Sequence, residues 1–185
     1  MRIIAGEFKG RKLFTPTDEC IRPTADKVKE AIFSMVGDHL NGAVVIDLFS
    51  GSGALGLEAL SRGAKVCYFC DNSAAGIRLT KDNIKLCGAE SRSKVIPGDF
   101  KRALSRIPEK ADIILLDPPY AKDVFEACFE GIQKHDLLNE SGVVVAEHGN
   151  ADVMADNVLC YVKIKEKKYG VVRISLYVEL NDGVC

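Results

Sequence analysis

The tetrapeptide Asp117-Pro118-Pro119-Tyr120 carries the clearest chemistry in the sequence. It follows the apolar run 113–116, so we expect it at the carboxyl end of a buried strand. The Asp117 carboxylate and the Pro118 carbonyl could accept the two hydrogens of an exocyclic amine, whose lone pair is otherwise delocalised into an aromatic ring. The prolines fix φ and lack N–H groups, which keeps that carbonyl available, and Tyr120 could stack on the ring. These four residues are the candidate catalytic group.

A second candidate site is the glycine-rich stretch 47–56, which reads DLFSGSGALG. Gly51, Gly53 and Gly56 match the G-x-G-x-x-G pattern that is typical of loops holding nucleotide-like ligands. Asp47, just upstream, would repel a pyrophosphate. It would attract the ammonium and sulfonium groups of S-adenosylmethionine, by about 1–4 kcal/mol at a few ångströms. The alternative is a carboxylate that caps backbone amides of its own loop.

Two further acids follow predicted strands. Asp71 ends the second strand, twenty positions after Gly51, where an acid can accept hydrogen bonds from ribose hydroxyls. It could instead cap the helix that begins near Ser73. Asp99 ends the third strand and could meet an adenine amino group while Phe100 packs on the base. A helix-capping role for Asp99 is an equal alternative.

Composition excludes several classes of protein. The 185 residues are 47% hydrophobic and 28% charged, as in an ordinary globular protein, and they contain neither an apolar run long enough to span a membrane nor a signal peptide. We therefore expect a cytoplasmic protein. The seven cysteines and three histidines form no metal-ligand or triad pattern, so no metal is predicted, and Cys67 and Cys70 are interpreted as reduced core residues on opposite faces of one strand.

Charge is distributed unevenly, although the net charge is only −1. Basic residues concentrate near both ends of the chain, at Arg2, Lys9, Arg11 and Lys12, and again at Lys163, Lys165, Lys167, Lys168 and Arg173. If folding brings the two ends together, they could form a phosphate-binding surface. A solvated face with no partner is the alternative.

Strand and helix patterns alternate from residue 43 to residue 149. This alternation predicts an α/β fold with a doubly wound, mostly parallel sheet. The last two of seven predicted strands are joined by a tight turn, so they must form an antiparallel hairpin. A small β-hairpin over 2–16 and a helix over 22–37 precede the sheet. We expect one domain over 1–185, with 1–40 as an extension and 41–185 as the Rossmann-like core.

The segments RIIAGEFKGRKL, RPTADKVKEAIF, DLFSGSGALGLEALSRGA and DPPY together resemble the RNA small-subunit methyltransferase D family, within the class I S-adenosylmethionine-dependent methyltransferases. The resemblance covers essentially the whole chain. It implies methyl transfer to N2 of one guanine in bacterial 16S ribosomal RNA, for which we expect the assembled or assembling small ribosomal subunit to be a better substrate than free RNA. No segment of the sequence suggests a subunit interface, so we expect a monomer. DPPY alone is shared with enzymes that methylate adenine N6 or cytosine N4 in DNA.

The resemblance also implies roles for individual residues. Asp117 to Tyr120 would hold the target base. The N-terminal hairpin would lie over the site and grip RNA. The residues implied to bind S-adenosylmethionine are Asp47, Phe49, Ser50, Gly51, Ser52, Gly53, Asp71, Asn72, Asp99 and Phe100. The residues implied to bind RNA are Arg2, Lys9, Arg11, Lys12, Arg22 and Thr24.

Three alternatives remain at this point. A base-amino methyltransferase acting on DNA or on another RNA would share every catalytic residue named above. An NAD-binding Rossmann protein would have no use for Asp47, for the terminal hairpin or for DPPY. A non-catalytic RNA-binding or assembly factor could keep the fold without the activity. The sequence leaves the target nucleotide and the fate of the amine proton open.

Overall fold

The fold is an eight-stranded mixed sheet with helices on both faces, seen in a computed structural model that describes residues 1–16, 23–118, 122–152 and 154–180. The helices are α1 (Pro23–Val36), α2 (Ala54–Ser61), α3 (Ala74–Cys87), α4 (Phe100–Leu104) and α5 (Lys122–Lys134), with short 3-10 turns at Gly37–Leu40 and Glu90–Arg92. The strands are β1 (Val44–Asp47), β2 (Val66–Asp71), β3 (Ser93–Pro97), β4 (Ala111–Leu116), β5 (Leu138–Gly149), β6 (Asn157–Val158), β7 (Tyr161–Tyr169) and β8 (Val172–Glu179).

The strand order is β3-β2-β1-β4-β5-β8-β7-β6. Strands β1 to β5 pair in parallel, whereas β8 pairs antiparallel with both β5 and β7, so the predicted doubly wound sheet with a terminal hairpin is confirmed. The described residues form eight strands rather than the seven predicted. The chain adopts a left-handed conformation at Leu159 (φ 53°), which separates β6 from β7 and lets the two pair with each other.

The sheet separates two hydrophobic layers. Side chains alternate across each strand, so Cys67 packs in the layer that contains α1 and α2, and Cys70 packs in the layer that contains α5. The predicted placement of these cysteines on opposite faces is therefore confirmed. Both thiols are free and buried, and burial raises the pKa of Cys70 to about 12. Among the described residues, no helix is both long and apolar enough to cross a bilayer.

The third glycine of the loop allows α2 to lie unusually close to β2. A Cβ atom on Gly56 would lie 2.4 Å from Phe69 Cε1 and 2.6 Å from the Cys67 sulfur. Only a residue without a side chain fits this contact. The helix therefore starts next to the carboxyl end of β1, where its Gly56 amide donates to Asp47.

The predicted N-terminal β-hairpin is present as a short antiparallel pair, with one bridge between Arg2 and Lys12 and three backbone hydrogen bonds of 2.9–3.0 Å between 1–3 and 10–13. The connection between its two arms is held by α2. The Ile4 and Ala5 amides donate to the Glu58 carboxylate at 2.8 and 3.0 Å, and the Phe8 amide donates to Ser61 Oγ at 2.9 Å. The segment 1–16 is thus a folded strap held on α2.

Candidate active site

A cleft runs along the edge of the sheet where the parallel strands end. It consists of two adjoining cavities of about 220 Å³ and about 740 Å³. Both cavities are lined by Phe49, Gly51, Asp117 and Glu147, which come from the ends of β1, β4 and β5. Open parallel sheets bind ligands at this edge, so the cleft is the natural candidate site.

The glycine loop after β1 is held in shape by α3. Gly51 and Gly53 adopt left-handed conformations (φ 51° and 76°), and a Cβ on Gly51 would meet open space. Thr80 Oγ1 donates to the Gly51 carbonyl at 2.9 Å, and Asn83 Nδ2 donates to the Ser52 carbonyl at 2.8 Å. Because these bonds fix the loop without a ligand, its exposed edge is preorganised.

The loop residues divide between the cavity and the support beneath it. Ser50 and Ser52 line the smaller cavity, and Ser50 Oγ lies 3.1 Å from Thr80 Oγ1. Gly53 is buried against Thr80 and begins the turn into α2. Of the predicted loop residues, Ser50, Gly51 and Ser52 therefore face the space that a ligand would occupy.

Asp47 lies at the floor of the smaller cavity and is only 2% exposed. Its Oδ2 accepts a hydrogen bond of 2.9 Å from the Gly56 amide, so it does cap the helix that follows its own loop. Burial raises its pKa to about 7, against the lowering effect of the Gly56 amide, and the charges of Asp117 and Asp71 raise it further. A cation bound in the cavity would lower the pKa of Asp47 and favour its ionised form.

Asp71 braces the loop from β2. Its Oδ2 accepts from the Gly51 amide at 2.8 Å, while Oδ1 accepts from the amide and the hydroxyl of Ser73 at 2.8 and 2.9 Å. Ser73 caps α3 by accepting from the Gly76 amide at 2.9 Å, so the helix cap is Ser73 and not Asp71. Asp71 and its neighbour Asn72 line the larger cavity.

Asp99 and Phe100, which are neighbours in the sequence, have different surroundings in the structure. Asp99 is exposed and caps α4, where its Oδ1 accepts from the Arg102 amide at 3.1 Å. Within the described part of the chain it is not among the residues that line either cavity. Phe100 does line the larger cavity, and its ring lies 5.9 Å from that of Phe49. The two rings form an apolar wall on which a flat ligand can pack.

Asp117 and Pro118 follow β4 directly, next to the glycine loop, because β4 pairs with β1. Asp117 lines both cavities and Pro118 lines the larger one. Pro119, Tyr120 and Arg22, together with the side chain of Thr24, lie outside the described residues.

Glu147 is a site residue that the sequence analysis did not identify. It lies at the end of β5, beside Asp117, and lines both cavities. Burial and the nearby charge of Asp117 raise its pKa to about 8. Its position after the apolar run 143–146 is the same signal that singled out Asp117 after 113–116. His148 is the next residue in the lining, and its Nε2 lies 2.9 Å from Ser175 Oγ.

The N-terminal strap meets the cleft only at its ends, where Met1 and Pro16 line the smaller cavity. Two of its basic residues are engaged within the protein. Arg2 pairs with Asp26 at 3.1 Å, and Arg11 donates to the Leu86 carbonyl at 2.6 Å. Lys9 and Lys12 are exposed.

Comparisons with known proteins agree with this architecture. The family model described as "Conserved hypothetical protein 95" matches residues 1–178. A Bacillus subtilis protein named "Putative rRNA methyltransferase YlbH" is 37% identical over 96% of this chain and 98% of its own. The chain belongs to the RNA small-subunit methyltransferase D family. The Haemophilus influenzae member, "Ribosomal RNA small subunit methyltransferase D", is 29% identical over 96% of this chain and 93% of its own.

A solved structure extends the family relationship to the fold. The Escherichia coli protein titled "Putative methyltransferase yhhF" superposes with a TM-score of 0.86 over 97% of both chains, at 28% sequence identity. The family fold therefore includes the N-terminal strap, the parallel sheet and the terminal hairpin of this chain.

Proposed function

We propose that the protein transfers a methyl group from S-adenosylmethionine to the exocyclic N2 amine of a guanine in small-subunit ribosomal RNA. The observation that carries the proposal is the convergence of Asp47, Asp71, Asp117 and Glu147, from the ends of four adjacent strands, on one cleft that also contains the glycine loop. The ribosomal substrate is supported by the names of relatives in the family.

The charge in the cleft favours S-adenosylmethionine over a dinucleotide. Burial and neighbouring carboxylates raise the pKa values of Asp47 and Glu147, so a bound cation favours their ionised forms and a pyrophosphate disfavours them. Lys29, the buried cation in the smaller cavity, is already paired with Glu58 at 3.1 Å. The ammonium and sulfonium of the cofactor would therefore provide the positive charge that favours the ionised forms of Asp47 and Glu147. Asp71 would accept hydrogen bonds from ribose hydroxyls.

Catalysis would consist mainly of positioning the guanine amine in line with the methyl group and the sulfur of the cofactor. S-adenosylmethionine, when bound, supplies an electrophilic methyl group. The Asp117 carboxylate and the Pro118 carbonyl would accept the two N–H groups of the guanine amine and orient its lone pair toward the glycine loop. The nitrogen becomes acidic only after it gains the methyl group, so Asp117 can take the proton late and no strong base is required.

The target guanine must leave its base pair to reach this cleft. Exocyclic amines lie at base edges, so an enzyme must receive an unpaired or flipped nucleotide. A ribosomal substrate also supports the placement of the protein in the cytoplasm. The test is transfer of labelled methyl from S-adenosylmethionine to unmethylated small ribosomal subunits, to naked ribosomal RNA and to duplex DNA. Label on RNA supports the proposal, whereas label only on DNA would select a DNA base-amino methyltransferase.

Cofactor affinity is expected to rise with pH between about 6 and 8.5. Asp47 and Glu147 have raised pKa values, near 7 and 8, so they are protonated at the low end of this range and must ionise to meet a cation. Binding then releases protons, and affinity rises by at most about tenfold per pH unit for each proton released. Isothermal titration calorimetry of S-adenosylmethionine in buffers of different ionisation enthalpy measures both the affinity and the number of protons released.

Asp47→Asn is the matched control for this pH dependence, because the variant keeps the acceptor for the Gly56 amide and loses the titrating group. It should bind with a flatter pH profile. An unchanged profile in Asp47→Asn, or wild-type affinity that falls as pH rises, would contradict the assigned charge balance. The same shifts predict that the ligand-free protein loses stability as pH rises from about 4, where these carboxyls ionise in the unfolded chain, to about 8, where they are ionised in both states.

Gly76→Ala is expected to weaken cofactor binding by about tenfold or more, the usual cost of losing one hydrogen bond to a charged group. A Cβ at this position would lie 2.6–2.8 Å from the three carboxylate atoms of Asp71, so the carboxylate must move away from the Gly51 amide. If the alanine acts only through Asp71, the double variant with Asp71→Ala binds no more weakly than Asp71→Ala alone. Titration of S-adenosylmethionine into the three variants tests this, and additive losses would refute it.

A further inference from the structure

The strand β7 presents a lysine-rich edge that the proposed chemistry does not use. On its outer side β7 pairs with β6 only at Tyr161 and Val162, and no described strand pairs with it beyond that point. The sequence from there is Lys163-Ile164-Lys165-Glu166-Lys167-Lys168. Four of these six residues are lysines on an open sheet edge.

Three of the lysines have no ionic partner among the described residues. Lys163 is bound at 2.9 Å by Asp156 and at 3.1 Å by Glu166, so its charge is neutralised locally. Lys165, Lys167 and Lys168 are exposed and pair with no carboxylate in the described part of the chain. In the N-terminal strap, Arg2 and Arg11 already have partners, whereas Lys9 and Lys12 are exposed.

The lysine-rich edge leads to the mouth of the cleft. The β7–β8 turn consists of Gly170 and Val171, and β8 then runs antiparallel to β5, with Val172 opposite Gly149. Val171 is 71% exposed and, with Val172, lines the larger cavity. The three lysines therefore begin two residues from the turn at the cavity and extend about 10 Å away from it along the strand.

The hairpin also places like charges side by side. Lys168 lies directly opposite Arg173 in the β7–β8 ladder, an arrangement that destabilises an antiparallel pair. Glu166 binds Arg173 and Lys163 but not Lys168. The charge on Lys168 is thus left for an anion from outside the protein.

We propose that Lys165 and Lys167 from one face of the open edge, and Lys168 from the other, form a track along that edge that binds the RNA phosphates next to the target nucleotide, with Val171 against the sugar or base at the cleft mouth. The inference rests on the proposed function for the identity of the substrate. It assigns the main electrostatic grip to the C-terminal hairpin rather than to the N-terminal strap.

Lysines on an open sheet edge have a second use, because their charge prevents edge-to-edge association of sheets. The two roles have different consequences. Protection of the edge predicts that removal of the charges causes self-association and leaves RNA affinity intact. An RNA track predicts that removal of the charges lowers RNA affinity and reduces its dependence on salt.

The test is the affinity of the full chain for unmethylated small ribosomal subunits and for a single-stranded RNA, measured without cofactor at several salt concentrations. The variant is Lys165→Gln/Lys167→Gln/Lys168→Gln, and the same three positions changed to Arg provide a charge-retaining control. A second control neutralises Lys65, Lys94 and Lys134, which are exposed and lie before β2, on β3 and at the end of α5.

If all three lysines contact phosphates of single-stranded RNA, the slope of log K against log salt falls by about 2, which corresponds to a loss of about 100-fold at 0.1 M salt. The Arg variant and the distant control keep the wild-type slope, and all variants bind S-adenosylmethionine normally. A glutamine variant with the wild-type slope overturns the track and leaves methyl transfer untouched. A wild-type protein that binds neither RNA nor subunits overturns the track and the ribosomal substrate together.

Discussion

Asp117→Asn is expected to lower the rate of methyl transfer by about 100- to 1,000-fold, the usual cost of losing one preorganised polar group in an active site. The change replaces the ionised acceptor with an amide of the same shape. The guanine amine then loses a charged hydrogen-bond acceptor, and its proton loses a destination. Because the glycine loop and Asp71 remain intact, we expect S-adenosylmethionine to bind with an affinity close to that of the wild type.

Single-turnover transfer from saturating cofactor to unmethylated small subunits separates chemistry from binding in this experiment. Asp82→Asn is the matched control, because Asp82 is an exposed carboxylate on α3. It should transfer at the wild-type rate. A fast Asp117→Asn variant would remove Asp117 from the reaction, and a variant that no longer binds cofactor would assign Asp117 to cofactor binding instead.

Glu58→Ala is expected to reduce the free energy of unfolding by about 3–5 kcal/mol, as for a broken buried ion pair. The Glu58 carboxylate is fully buried and accepts from the Ile4 and Ala5 amides as well as from Arg62 at 2.8 Å. It also pairs with Lys29, whose pKa is lowered by burial despite this partner. Its removal leaves a buried ammonium and two unsatisfied amides.

Urea unfolding at neutral pH measures the loss. Glu30→Ala, an exposed position on α1, is the control and should change stability little. Adding Lys29→Met to Glu58→Ala should recover part of the loss, because the unpaired buried charge disappears. A loss below about 1 kcal/mol, typical of an exposed pair, would show that Glu58 does not hold the strap on α2.

The core of the fold was predictable because its elements differ sharply in pattern. Strands β1, β2 and β4 are short continuous apolar runs, as expected of strands covered on both faces. Each ends in or just before an acid, so the parallel topology alone brings Asp47, Asp71 and Asp117 to one edge. The adjacency of β1 and β4 then follows from the switch in strand order.

The N-terminal strap was not predictable in the same way. Its alternating residues predict the hairpin, but the side chains that hold it on α2 are Glu58 and Ser61, which lie more than fifty positions away in the sequence. Asp99 shows a related limit, because a carboxylate after a strand can cap the next helix or face a ligand, and only the backbone geometry distinguishes the two. Glu147, by contrast, could have been predicted as a site residue from its position directly after an apolar run.

The central claim is tested most directly by the identity of the methylated nucleoside. Unmethylated small ribosomal subunits are incubated with the wild-type protein and labelled S-adenosylmethionine, and their RNA is digested to nucleosides and separated. The account predicts one labelled nucleoside, N2-methylguanosine, that is lost with Asp117→Asn. Label on an adenine or cytosine amine would contradict the proposed base, and an unlabelled subunit with a protein that binds the cofactor would contradict the proposed substrate.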